Sequence, residues 1–217
     1  MKRVEGLSEK IPLPVELLPS GIKATQAGTS AFQLASLLEQ ILQATLVARK
    51  LVRGRSASEL TTRLEPESWS VAECLDHLAR TTNVFLPEIS KAIAAAPKLA
   101  TSRTLRTGTV ASLMIHNLEP PYRLRYKVIP QLVPRQTDFD AAWSAFEQSQ
   151  SRLSETVCSA TGLAIDKVKV QCPVCTRVTY NVYGAFRMLA AHQRRHLWQV
   201  QQILSALDGK RVQKTAV

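Results

Sequence analysis

Two histidines four residues apart, His192 and His196, stand in the stretch Ala190-Ala-His-Gln-Arg-Arg-His-Leu-Trp198. On a helix that spacing is just over one turn, so both imidazoles project from one face and can reach a single divalent ion. The chain of 217 residues has only four histidines. A third, His77, lies in Trp69-Ser-Val-Ala-Glu-Cys-Leu-Asp-His-Leu78, which also shows helical apolar periodicity. Three histidines from two helices make a three-nitrogen site with an open position, the layout of a catalytic rather than a structural metal. Neutral imidazoles suit zinc, nickel or ferrous iron, and they leave the full charge on the ion, which would acidify bound water strongly. The bland alternative is a pair of solvated histidines on a basic helix.

Ligating histidines usually donate their second ring N–H to an acceptor, and Glu73 and Asp76 are the nearby candidates. Glu73 also completes a capping box with Ser70, and capping is the favoured reading. Arg194 and Arg195 are candidates for holding an anionic substrate, with surface solvation the expectation for at least one. A competing metal reading uses Cys172-Pro-Val-Cys175 with His192 and His196, which looks like a Cys2His2 zinc finger closing all four positions. Sixteen residues separate Cys175 from His192, beyond the usual range of about 12 to 15. Two reduced thiols in a loop are preferred. Cys74 and Cys158 read as small core residues. His116 has no spaced partner and reads as a loop histidine.

The elements that must position these residues follow from periodicity. A first helix starts at about Ser30 and carries Phe32, Leu34, Leu37, Leu38, Ile41, Leu42, Thr45 and Leu46, with Gly54 as its stop. Ser56 to Ser68 reads as a loop with a short helical turn. The second helix runs from Ser70 to about Ala95, with a kink or break expected at Pro87. Residues 97–137 hold five of the eleven prolines and read as a long connection without regular helix. Such a crossover lets the helices on either side run parallel. A third helix begins after Thr137 or Asp138 and presents Phe139, Trp143, Phe146, Gln150, Leu153 and Val157 as its seam. The fourth starts near Val182 and ends at Gly209. The expected division is an N-terminal arm (1–29), an all-α four-helix bundle (30–209) and a C-terminal tail (210–217).

An apolar fraction of 45% is ordinary for a soluble globular chain. No stretch approaches 18 uninterrupted apolar residues, and the N-terminus lacks the apolar run of a signal peptide, so a cytoplasmic location without membrane contact is the default expectation. The net charge of +11 invites a nucleic-acid partner. Scattered basic residues and an aromatic content of 6% argue against one. A small-molecule substrate is the expected partner, and exposed apolar faces would allow a homodimer.

Together, Trp69-Ser-Val-Ala-Glu-Cys-Leu-Asp-His-Leu78 and His192-Gln-Arg-Arg-His-Leu-Trp-Gln199 resemble the DinB-like superfamily, and within it the DinB_2 or YfiT-like branch. The resemblance spans about residues 30–207. It implies a four-helix bundle with a long crossover between the second and third helices, and a divalent metal on His77, His192 and His196. It also implies either metal-dependent hydrolysis or transfer of a low-molecular-weight thiol such as bacillithiol, mycothiol or glutathione. One relative is a maleylpyruvate isomerase. The basic N-terminal arm and the Cys172/Cys175 loop depart from the family pattern.

Overall fold

The computed structural model describes residues 29–120 and 128–215, with side chains to Gly209, so the expected N-terminal arm lies almost wholly outside the described residues. The chain is mostly helical: α1 (Ser30–Val52), α2 (Ala57–Thr61), α3 (Val71–Ala94), α4 (Thr109–Leu118), α5 (Phe139–Ser159) and α6 (Val182–Thr215). A two-stranded antiparallel ladder, β1 (Lys169–Gln171) and β2 (Thr179–Asn181), precedes α6. The four predicted helices correspond to α1, α3, α5 and α6.

Sequence accounts for most of their ends. Thr29 caps α1 by accepting from the Phe32 amide, and Gly54, at φ 74°, takes the left-handed turn that ends it. Ser70 and Glu73 form the predicted capping box of α3. Asp138 caps α5 through the Ala141 amide. Helix α3 runs to Ala94 as expected, with no break at Pro87, because Phe85, Leu86, Ile89 and Ile93 bury the helix on both sides of it. One expected stop fails. Gly209 does not end α6: it keeps a negative φ, and the helix continues to Thr215. The following Lys210-Arg-Val-Gln-Lys run has no proline and no left-handed glycine to halt it.

Two apolar clusters form the core. One unites Leu34, Leu37 and Ile41 of α1 with Phe85 and Ile89 of α3, Leu153 and Val157 of α5, and Phe186 and Leu189 of α6. The other unites Ala44 and Ala48 with Val71, Leu75 and Leu78, Phe146, and Val200, Ile203 and Leu204. The N-terminal halves of α3 and α5 therefore share one cluster, so these helices run in the same direction. Helices α1 and α6 run opposite to them. Between the clusters lies a buried polar layer that contains His77, Thr81, Ser149, Gln150, Gln193 and His196. Gln150 and Gln193 bond reciprocally across α5 and α6, at 2.6 and 3.4 Å. The seam predicted on α1 is displaced: Leu42 and Leu46 face outward, 52% and 44% exposed, while Ala44 and Ala48 face in. Helix α1 is also long and apolar enough to cross a membrane by length and composition, but its Leu34, Leu37 and Ile41 pack into the core.

The connection from α3 to α5 is not free of helix. Helix α4 occupies its middle and packs on α6, burying Ala111 and Ile115. The prolines fall outside these ten residues, and Val110, Ala111, Met114, Ile115 and Leu118 have helical spacing. His116 is thus an exposed helical residue rather than a loop residue. Before α4, the connection is pinned by Arg103 on Asp166, with two contacts of 2.7 Å. Gln33 also receives the Leu105 amide at 2.6 Å.

Helix α6 approaches this strap closely at Gly184. A Cβ there would stand 2.6 Å from the Ala111 Cβ and 2.7 Å from the Thr107 carbonyl oxygen. The Gly184→Ala variant should therefore lose about 1–3 kcal/mol of stability in urea unfolding, despite the better helix propensity of alanine. Equal or greater stability would show that α4 can shift away from α6 at little cost.

Candidate metal centre

The start of α3 and the middle of α6 bring His77, His192 and His196 together. One ligand-capable atom from each lies within 4.8 Å of the other two. The His77 and His192 Nε2 atoms are 3.2 Å apart. Ring centroids of His77 and His196 are 4.6 Å apart, and those of His192 and His196 are 4.5 Å apart. His77 is 3% exposed and His196 7%. The i, i+4 geometry read from the sequence accounts for the pair on α6. The antiparallel packing of α3 on α6 brings up the third ring.

The orientation of each ring follows from its second nitrogen. The His77 Nδ1 lies 2.7 Å from the Leu132 carbonyl oxygen. A carbonyl only accepts, so Nδ1 carries the proton and Nε2 presents a lone pair toward α6. The His196 Nδ1 lies 3.0 Å from the Gln199 Oε1, which again leaves Nε2 as the free acceptor. With the His77 Nε2 unprotonated, the 3.2 Å contact requires His192 either to donate a proton there or to share a cation with it. The donor set therefore fits a metal: three imidazoles converge, and two are already committed to the tautomer that exposes Nε2. Nitrogens sharing a tetrahedral ion at about 2.0–2.1 Å sit about 3.3 Å apart, close to the observed contact.

Burial lowers the proton affinity of His77, with the Leu132 hydrogen bond and Asp76 opposing the shift. Burial is also the leading cause for His192 and His196, which fall well below the ordinary value, and the neighbouring histidines and Arg195 add to it. Trp69 closes one side, its ring 4.7 Å from His77 and stacked on His196 at 5.9 Å. Trp69 stands in the motif quoted above, but its contact with both rings is a tertiary feature that periodicity alone does not reveal.

Glu73 takes the favoured capping role, and neither it nor Asp76 hydrogen-bonds a histidine ring. Glu73 accepts from the Ser70 amide and pairs with Arg63 rather than with a histidine. Burial works against its charge, but Arg63 and the Ser70 amide outweigh it and hold the carboxyl below its usual range. Asp76 accepts from Arg80 and from the Arg135 and Gln136 amides. The real acceptors are the Leu132 carbonyl and the Gln199 side chain. Gln199 sits within the quoted motif, three residues after His196, and was readable as a local i, i+3 partner. A backbone carbonyl from a distant loop carries no sequence signal.

Arg194 is not merely solvated: it pairs with Glu119 and bonds Gln40 at 2.8 Å. Arg195 is buried and donates to the Asn117 carbonyl at 3.1 Å. Both hold the end of α4 against α6, and Arg195 is the one whose charge is felt by the histidines. The zinc-finger grouping does not form. Cys172 is buried in the apolar cluster that includes Tyr180 and Val182, and Cys175 is exposed. Val182 begins α6, ten residues or roughly 15 Å of helix before His192. Among the described residues, the three histidines are the group of metal-ligand type, and no cysteine joins it.

A family model described as DinB superfamily matches residues 40–200. The chain belongs to the DinB superfamily. The matched span includes all three histidines, Trp69 and the strap between α3 and α5. No curated protein and no solved structure shows a significant match.

This DinB-superfamily protein should respond to acid in a specific direction. The native metal-free state keeps its three histidines neutral, whereas the unfolded chain protonates them below about pH 6.5. Stability is therefore present above that pH and is lost as pH falls. The slope approaches about 1.4 kcal/mol per pH unit for each histidine involved. Urea unfolding of chelator-treated protein from pH 7.5 to 5 checks this, and a flat profile for wild type would contradict the buried neutral cluster. His192→Ala should make it shallower, with the contributions of His77 and His196 remaining.

Proposed function

We propose that the chain is a metal-dependent enzyme of the DinB superfamily, with a divalent cation on His77, His192 and His196. The reading takes α1, α3, α5 and α6 as the four-helix bundle of the family, and the strap carrying α4 as its long crossover. The observation that carries it is the common orientation of the rings. His77 and His196 commit Nδ1 to acceptors, which leaves Nε2 as the nitrogen able to ligate, and the His77 Nε2 meets that of His192 at 3.2 Å.

A divalent ion held there supplies Lewis acidity at the position that the three imidazoles leave open. The chain's own residues set the conditions. Trp69 shields one side of the cluster from water. Arg195 contributes positive charge beside two of the rings, which favours an anion in the open position. A low-molecular-weight thiol entering as its thiolate fits that charge, and so does an anionic small-molecule substrate of a hydrolase. Thiol transfer of the bacillithiol, mycothiol or glutathione type and metal-assisted hydrolysis are therefore the two reactions to test. A cytoplasmic setting, where such thiols are abundant, belongs to the same reading.

The decisive experiment is the metal content of purified, untagged protein. About one zinc, nickel or iron per chain is expected, lost in His77→Ala and retained in the Cys172→Ser/Cys175→Ser double variant. Metal lost only with the cysteines would overturn the three-histidine centre. With the centre established, each thiol is offered with an electrophile, and an ester and an amide are offered alone. Turnover in one set that vanishes in His77→Ala identifies the reaction class.

A further inference from the structure

His77 takes its orientation from a loop far away in sequence, and the residue beside it on α3 holds that loop. The Asp76 carboxylate is 3% exposed. Three donors converge on one of its oxygens, Oδ2: the Arg135 amide at 2.6 Å, the Gln136 amide at 3.1 Å and the Arg80 Nε at 2.7 Å. The Leu132 carbonyl, which accepts from the His77 Nδ1, lies only three residues before Arg135. Val133 and Pro134 alone separate them, and proline fixes φ near −65°. Leu132 itself closes the 3₁₀ turn Pro130–Leu132 and is buried. The loop thus has two anchors on α3, from adjacent residues whose side chains leave the helix about 100° apart. A short, stiff link transmits the position of one anchor to the other.

We infer that Asp76 is a positioning residue for the centre: by clamping the Arg135 and Gln136 amides, it holds the Leu132 carbonyl against the His77 Nδ1. That carbonyl keeps the proton on Nδ1 and the lone pair of Nε2 aimed at His192 and His196. Asp76 touches none of the three rings by hydrogen bond, so its effect passes through the crossover backbone. The role differs from a carboxylate bonded directly to a ligating imidazole. It also gives the end of the crossover a function, because loss of the clamp releases the segment that selects the His77 tautomer. The inference deepens the proposed metal function, but its central claim concerns the ring of the metal-free chain.

The test uses full-length, chelator-treated protein labelled with nitrogen-15. Long-range proton–nitrogen spectra report which ring nitrogen of His77 carries the proton, without any metal. Wild type should show the Nδ1–H tautomer, and hydrogen exchange at the Arg135 and Gln136 amides should be slow. Asp76→Asn keeps an oxygen able to face both amides, so it should retain that tautomer. Asp76→Ala should give a mixture of tautomers and faster exchange at both amides. Its affinity for zinc in a chelator competition should fall about tenfold or more. Should Asp76→Ala fail to fold, Arg135→Pro removes the closest amide donor while sparing α3, and the same mixture is expected. An unchanged His77 tautomer in both Asp76→Ala and Arg135→Pro would overturn the inference. So would Asp76→Asn behaving like Asp76→Ala, which would assign the effect to the Arg80 ion pair. Failure of wild type to bind zinc at all would instead sink the proposed function and leave the tautomer result standing.

Discussion

Three imidazoles in contact with one another, two buried and one half-buried, set the main constraint on this fold. They cannot all be protonated, because like charges at this separation repel in a poorly solvated interior. They cannot all be left without partners either, since a buried ring nitrogen needs a hydrogen bond or a metal. The chain resolves this by giving two Nδ1 atoms an acceptor outside the cluster, Leu132 for His77 and Gln199 for His196. The same layer holds the reciprocal Gln150–Gln193 pair, which satisfies two buried amides between the two apolar clusters. Each apolar cluster packs one end of the helices and leaves the polar middle fixed in register.

That middle also depends on the strap from α3 to α5, which supplies the Leu132 carbonyl to His77. A parallel pair of helices needs a long return, and a long return brings backbone groups that must be satisfied. Side chains do much of this here. Asp166 receives the Arg106 amide and the Arg103 guanidinium, Gln33 bonds the amide and carbonyl of Leu105, and Asn181 donates to the Arg106 carbonyl. Farther on, Arg194 and Arg195 hold Glu119 and the Asn117 carbonyl. These contacts explain why the two arginines flanked by His192 and His196 are held by partners rather than only by solvent. They join the strap to the helix that carries two of the three rings.

The four long helices were legible because each buries one face, and a one-sided burial writes a 3.6-residue period into the sequence. The histidine centre was legible for a related reason: the pair on α6 is local, and His77 occupies a comparable apolar face of α3. What the sequence could not convey depends on tertiary partners. Val110 to Leu118 has helical spacing, but the surrounding prolines obscured it. Leu42 and Leu46 have the right period, and only packing decides that Ala44 and Ala48 face inward instead. The acceptor for His77 is a main-chain oxygen 55 residues away, a group that every residue possesses and none advertises. The capping role of Glu73 is local and legible, whereas Asp76, acidic and near, reads as a hydrogen-bond partner for the histidines and is not one. Besides the local Ser70 amide and Arg80, their donors are Arg63 and the Arg135 and Gln136 amides, from segments whose approach is set by the loops on either side of α3.

The charge balance at the centre constrains its chemistry further. Three neutral imidazoles contribute no negative charge, and Arg195 adds a positive one close enough to depress the protonation of two of them. On the proposed reading, a divalent ion held there would be poorly neutralised by the protein. In a site walled by Trp69 and buried helix faces, the deficit is not screened as it would be in bulk water. The favoured occupant of the open position would then be an anion, or a neutral group that becomes one by losing a proton on arrival. A thiol and a water molecule both meet that description, and a thiol does so at a lower pKa. The same electrostatics disfavour a cationic substrate, because it would add charge where the protein supplies none of the opposite sign through its ligands.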